Sequence, residues 1–280
     1  MSEQTEKLRR LVTQAAGLNP RPAGPRLLVV SGGKPGVGAT TVAVNLAATL
    51  ASDALRVVLV DADFSRASVA AQCGISDAVG IGDVLAGRRS VHEAIQRGPA
   101  GLQIIPGWRA AEPRGGIPER VSQRVVRQFQ SLAPHVDWVV VDCGHESRSL
   151  VSEFWSAAEQ VLLVTSPDAV AVMDSYSLVK TLLSRQSLAQ PLALIVNQAE
   201  DEASAADVHR RIDQSCQRFL GVSLDFAGDL PGDTAAVSAA RGPLPLALRS
   251  PESPLTQSIQ QLAERLLRSS ESDRRERLAA

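Results

Sequence analysis

The sequence predicts an α/β fold, a single doubly wound, mostly parallel sheet with helices on both faces, and three observations predict it. Short apolar runs recur at LLVV (27–30), VVLV (57–60), LQIIP (102–106), WVVV (138–141), VLLV (161–164) and LALIV (192–196). Each is continuous rather than alternating, as strands buried on both faces are. Segments of helical period lie between them, and that alternation is the pattern of parallel strands joined by crossover helices. With 280 residues, 44% of them hydrophobic, the chain can bury one sizeable core.

Residues 1–25 read as a charged N-terminal arm, closed by the proline-bearing stretch Asn19–Pro25. Within the arm, Leu8, Leu11 and Val12 share one helical face that suits docking on a partner. Residues 26–268 read as the folded domain, with helices expected at Thr40–Ala51, Pro118–Leu132, Asp168–Ser184, Ser204–Leu220 and Pro254–Leu267. The last carries Leu255, Ile259, Leu262 and Leu266 at helical spacing, a core-facing stripe. Residues 269–280 read as a polar, solvated C-terminal tail in which Leu278 is the one large apolar residue, so weak or no intrinsic membrane binding is expected.

Composition removes several functions. Lys plus Arg number 29 and Asp plus Glu 30, for a net charge of -1, so no overall basic excess marks a nucleic-acid binder. One Tyr, five Phe and three Trp supply few stacking platforms for single strands. Cys73, Cys143 and Cys216 are odd in number and scattered, which fits buried hydrophobes in a reducing compartment rather than disulfides or a metal site. The charged start and the lack of a long apolar run predict a cytoplasmic protein, peripheral to membrane or cell pole only through partners.

The chemistry is concentrated in VVSGGKPGVGATTVAVNLAATL. Gly33, Gly36 and Gly38 stand between the first strand and a helix, where consecutive amides and the helix N-terminus offer positive dipoles to phosphate oxygens. Against G-x-x-x-x-G-K-[ST] the stretch supplies Gly33, Gly38 and Thr40, with Ala39 in the lysine position. KPGVGATT resembles the deviant Walker-A loop, K-G-G-x-G-K-[ST], of the MinD/ParA family of P-loop ATPases. The resemblance implies ATP and Mg²⁺ as cofactors, an ATP-dependent homodimer, and phosphate contacts from Gly33, Gly36, Val37, Gly38, Ala39, Thr40 and Thr41. It also implies that Lys34 acts in catalysis by reaching the nucleotide of the partner subunit.

Later motifs follow in the family's order. VVLVDADFSRAS resembles its switch I, which implies Asp61 for magnesium and Asp63 for catalysis. DWVVVDCGHESRS resembles its Walker-B strand and switch II, which implies that Asp142 joins Thr40 at the metal. His145 and Glu146 read as surface residues of the loop beyond. VLLVTSPDAVAVMDSYSLVKTLL is similar to a stretch of MinD-type members; LIVNQAED resembles the segment whose asparagine reads adenine in the family, which implies that role for Asn197, and GDLPGDTAAV resembles the family's later loop under the base, which implies Pro231 and Asp233 there. The resemblance spans about Leu27 to Leu267.

Asp174, Tyr176 and the segment EQTEKLRRLV lean toward the flagellar-number regulators of the family, FlhG or FleN, and imply an FlhF-like GTPase partner for the arm. Ala39 departs from the pattern: one missing charge-assisted hydrogen bond is worth about 1.5–3 kcal/mol, roughly ten- to hundredfold in affinity. The expectation is therefore a nucleotide switch with slow or impaired ATP hydrolysis, placing or counting a cell structure, most simply the flagellum. The alternatives are a pseudo-ATPase scaffold or a polar localisation factor of the TadZ/CpaE kind, and a ParA-like DNA partition protein. The last would need a basic patch from Arg120, Arg124 and Arg127 with Arg210 and Arg211. Bacterial tyrosine kinases and the nitrogenase iron-protein branch fall away, for want of a tyrosine cluster and of paired cysteines.

Overall fold

A computed structural model describes residues 24–108, 116–145, 149–184, 191–234, 238 and 242–279. The arm's face of Leu8, Leu11 and Val12 and the loop residue Glu146 therefore lie outside the described residues.

The chain forms the strands β1 (Arg26–Gly32), β2 (Val57–Asp61), β3 (Gln96–Arg97), β4 (Gln103–Ile105), β5 (Trp138–Asp142), β6 (Gln160–Thr165), β7 (Leu192–Ala199) and β8 (Asp225–Pro231). They make one sheet in the order β3-β4-β2-β5-β1-β6-β7-β8. Every pairing is parallel except the antiparallel contact of β3 with β4. The helices are α1 (Ala39–Ser52), α2 (Val69–Gln72), α3 (Ile81–Leu85), α4 (Val91–Ala94), α5 (Glu119–Gln130), α6 (Ser149–Ala157), α7 (Ala169–Leu183), α8 (Glu202–Leu220), α9 (Leu246–Arg249) and α10 (Pro254–Ala279).

The continuous apolar strands do what their pattern predicts. Along β1, Leu27 and Val29 enter one core while Leu28 and Val30 enter the other, the period-two consequence of a pleated strand covered on both sides. The first core is closed by Val125 and Phe129 of α5, Phe154 and Trp155 of α6, Val179 of α7 and Ile212 of α8. The second is closed by Leu46 and Leu50 of α1 and by Leu255, Ile259, Leu262 and Leu266 of α10. Asn45 fastens this layer: its side chain donates to the Thr41 carbonyl at 2.8 Å and accepts from the Ala247 amide at 2.8 Å. All three cysteines are free and buried.

Besides the short elements β3, α2, α3, α4 and α9, which no pattern marked, three larger features depart from the sequence expectation. DFAGDLP forms the edge strand β8, although its apolar residues are broken by Asp and Gly; its register shifts between Leu194 and Ile195 of β7. The helix α6 over SLVSEFWSA was not anticipated, and Phe154 and Trp155 from it are fully buried. Finally α10 runs to Ala279, past Leu267 where the apolar stripe ends. Once nucleated by packing, a helix propagates through favourable residues such as Glu and Arg, and Arg268 lies 3.6 Å from Glu264 one turn back. Among the described residues no helix is long and apolar enough to cross a membrane.

Candidate functional site

Parallel α/β sheets present their ligand crevice beyond the carboxyl ends of the strands. Here β1 is central, so the loop that follows it is flanked by the ends of β5 and β6. Glycine shapes that loop. Gly36 and Gly38 hold φ of 89° and 91°, in the left-handed region, and Gly38 is also the residue that starts α1. Gly33 has a different reason: a Cβ there would collide with the backbone of Ser175 in α7. The loop is thus packed directly onto α7.

A cavity of about 800 Å³ opens over the loop. Of the predicted residues, Lys34, Gly36, Gly38, Ala39, Thr40 and Thr41 line it, with Asp63 from the turn after β2. Asn197, Pro231 and Asp233 line its far side, from the ends of β7 and β8. Gly33, Val37, Asp61 and Asp142 stand behind the wall. Val37 is buried, and its carbonyl accepts the Asn197 side-chain amide at 2.8 Å. Gln198, whose φ is 60°, donates to the Gly36 carbonyl at 3.0 Å. The two residues at the end of β7 therefore brace the loop from across the cavity.

His145, expected on the surface, is half-buried on the cavity wall because Gly144 turns the chain there with φ of 57° and packs on Asp63. Arg66, Ser68 and Gln72 also line the cavity; the first two stand within the stretch that resembles switch I, which gives them no role, and Gln72 lies beyond it.

The carboxylates form the electrostatic centre. Adjacent strands β2 and β5 place Asp61 and Asp142 opposite each other in register, both fully buried. Asp61 accepts from the Asp63 and Val69 amides, each at 3.1 Å, so both of its oxygens hold the turn that follows β2. Asp63 accepts from the Ser65 amide at 2.9 Å and the Arg66 amide at 3.3 Å. Asp142 accepts from the Gly144 amide at 3.1 Å through Oδ1, whereas Oδ2 is buried and, among the described residues, has no hydrogen-bond partner.

Burial pushes the Asp142 carboxyl up to about 7, against the lowering influence of the neighbouring Thr40 hydroxyl. Burial, then the charge of Asp142, raises Asp61 well above the carboxylate range. A buried anion left this poorly compensated is the environment that a hard cation relieves. Among the described residues no group of three or more acidic, His or Cys side chains forms a closed metal cage. Magnesium at phosphate sites needs none, because it is held by one or two protein oxygens, waters and the phosphates themselves. Thr40 with Asp142 fits that requirement.

Lys34 is engaged within its own chain. Its Nζ lies 2.8 Å from Asp168 Oδ1. Asp168 in turn caps α7, accepting from the Ala171 amide at 2.9 Å and the Ser166 hydroxyl at 2.7 Å. Lys34 and these donors hold the Asp168 carboxyl below the usual range.

Three arginines of the candidate basic patch make contacts within the chain. Arg124 donates to the Val84 and Leu85 carbonyls at 3.3 and 2.9 Å, closing the last turn of α3, while Arg210 and Arg211 both pair with Asp207.

Comparison with known proteins agrees with this architecture. The family profile described as ParA, NUBPL iron-transfer P-loop NTPase, matches residues 25–267. The antiactivator FleN of Pseudomonas aeruginosa is 30% identical over 216 residues, 77% of each chain. The flagellum site-determining protein YlxH of Helicobacter pylori is 25% identical over 85% of this chain and 80% of its own. The septum site-determining protein MinD of Pyrococcus horikoshii, solved as a complex with Mg-ADP, superposes with a TM-score of 0.70 at 24% identity, over 86% of this chain and 96% of its own. A glycine loop on a central strand, two carboxylates in register beside it and a match over nearly the whole domain lead to one conclusion: the chain belongs to the ParA/MinD family of P-loop NTPases.

Proposed function

We propose that this protein is an ATP-binding, Mg²⁺-dependent dimeric switch that governs the placement or number of a cell structure, the flagellum first, and that hydrolyses ATP slowly. The observation that carries the reading is the unpartnered Asp142 Oδ2 beside Thr40, at the foot of a loop whose geometry only glycines allow. Similarity to FleN and to a flagellum site-determining protein supports the choice of cell structure, and a relative's complex with Mg-ADP supports the cofactors.

Each residue has a defined task. The amides of residues 36–41 and the start of α1 receive phosphate oxygens, and Asn197, Pro231 and Asp233 bound the space for the base. Thr40 and Asp142 hold magnesium, which when bound neutralises phosphate charge. Asp63, on the cavity wall, accepts a proton from water; Asp61, to which the family resemblance assigns magnesium, commits both oxygens to the Asp63 and Val69 amides and instead keeps the turn carrying Asp63 in place. Lys34 must leave Asp168 to reach the nucleotide of a second subunit, so the Lys34–Asp168 pair opposes dimer formation. Ala39 gives no charge to the phosphates, and turnover is slow for that reason. An FlhF-like GTPase is the partner proposed for the N-terminal arm.

Calorimetric titration of nucleotide-stripped protein with Mg-ATP tests the reading. Micromolar binding, weakened in Lys34→Ala, with dimers by sedimentation in Mg-ATP and monomers without, is the expected result. Absence of binding up to millimolar ATP would favour the second reading, a scaffold that has lost nucleotide, for which Ala39 is the motivating feature. For turnover, Ala39→Lys should raise the steady-state rate; an unchanged rate means that the lysine is not what limits it.

A further inference from the structure

We infer that Arg66 supplies, from within the same subunit, the phosphate-binding charge that position 39 lacks. The inference rests on the proposed ATP site and adds a residue to it that nothing in the glycine loop predicts.

Arg66 lies in the turn after β2 and lines the same cavity as Gly38, Ala39 and Thr40. Its backbone is fixed by the acidic residues of the site. The Arg66 amide donates to Asp63 Oδ1 at 3.3 Å, the Ala67 amide closes the turn on the Asp63 carbonyl at 2.9 Å, and Val69 is held by Asp61. Ala67, buried with φ of 43°, packs toward Gly107 and sets the direction in which the chain leaves the turn. A fixed backbone thus carries a long cationic side chain at the cavity wall.

That side chain is available. Among the described residues the Arg66 guanidinium makes no ion pair or hydrogen bond, whereas Lys34, the other permanent cation on the wall, is paired with Asp168 at 2.8 Å. Asp63 and Asp233 also line the cavity, and Asp61 and Asp142 stand behind it. Among the described residues that line the cavity, the uncommitted cation that a polyphosphate meets in this acidic surround is an arginine. Guanidinium is always charged and offers a planar fork of donors that fits phosphate oxygens two at a time. It can therefore replace the point charge of a lysine from a different place in the chain.

The test is calorimetric titration of the full chain with Mg-ATP, Mg-ADP and AMP, for wild type, Arg66→Ala, Arg66→Lys, Ala39→Lys and the double variant Arg66→Ala with Ala39→Lys. Arg66 is exposed, and unchanged circular dichroism and melting will show that the variants fold. Arg66→Ala should weaken Mg-ATP about ten- to hundredfold, the loss expected for a charge-assisted hydrogen bond. AMP binding should stay unchanged, Arg66→Lys should retain part of the affinity, and Ala39→Lys should restore the Arg66→Ala protein. Equal Mg-ATP affinity in wild type and Arg66→Ala overturns the role of Arg66 and leaves the ATP site standing. Equal loss of AMP and ATP also overturns it, since the effect would then be on the cavity as a whole. A wild type that binds no nucleotide overturns both.

Discussion

The two sides of the cavity are built on opposite principles. On the side of β6, β7 and α7, the side chains that meet the loop have partners: Lys34 with Asp168, Asn197 with the Val37 carbonyl, Gln198 with the Gly36 carbonyl. On the side of β2 and β5, two buried carboxylates face each other in register, and among the described residues one oxygen of Asp142 accepts no hydrogen bond of good geometry, with the Thr40 hydroxyl as its polar neighbour. The first side is braced by bonds within the chain; the second keeps buried carboxylate oxygen that a cation would compensate. What this teaches is that one site can hold its shape and its reactivity in separate places, because the bracing bonds are neutral or paired and the unpaired charge lies where it cannot distort them.

The largest perturbation should come from the braced side. Gly33→Ala drives a Cβ into the backbone of Ser175, so α7 or the loop must move. Overpacking of this kind should cost about 3 kcal/mol and abolish nucleotide binding; a urea midpoint within error of wild type would show that the contact is soft.

Next is the unpaired side. The Asp142 carboxyl sits at about 7 in the folded chain, above its ordinary 3.8, so the folded state binds more protons than the unfolded state between those values. Its contribution to stability is therefore present below pH 3.8 and is lost as pH rises through about 7. The ligand-free protein should melt lower at pH 8 than at pH 5.5, and Mg-nucleotide should reduce the difference. Asp142→Asn should flatten this part of the pH profile and raise ligand-free stability at pH 8 by on the order of 2 kcal/mol, some 4–8 °C in Tm, while weakening Mg²⁺-dependent binding. Parallel pH profiles for variant and wild type would break the comparison.

Smaller effects sharpen it. Asp168→Ala removes the helix cap of α7 as well as the partner of Lys34, and should cost about 1 kcal/mol in stability while increasing the Mg-ATP-dependent dimer fraction by sedimentation. Lys34→Ala leaves the cap intact at a half-exposed pair and should cost no more than about 0.5 kcal/mol, yet lose the dimer. Arg210→Ala, on the wet face of α8, should stay within about 0.5 kcal/mol and leave nucleotide binding alone, which a thermal melt and one titration will check.

The fold was largely legible because its signals are local. Runs such as WVVV and VLLV announce strands covered on both faces, and Leu255, Ile259, Leu262 and Leu266 announce the stripe that α10 buries. β8 was not legible, since an edge strand beside α10 needs no continuous apolar run and DFAGDLP has none. The glycine loop, Thr40 and the aspartates could be nominated from the sequence because each stands at the end of a strand or the start of a helix. The sequence by itself determined the sheet, the loop and the residue types at the carboxyl edge. Only the tertiary structure decided the pairings: Lys34 with an aspartate 134 residues away, Asn197 on a loop carbonyl, Arg124 as a cap for α3 and Arg66 on the cavity wall. Periodicity reports on neighbours within a few residues, whereas the partner of a charged side chain is chosen by the order in which strands assemble, and that order places chain segments together that no local pattern connects.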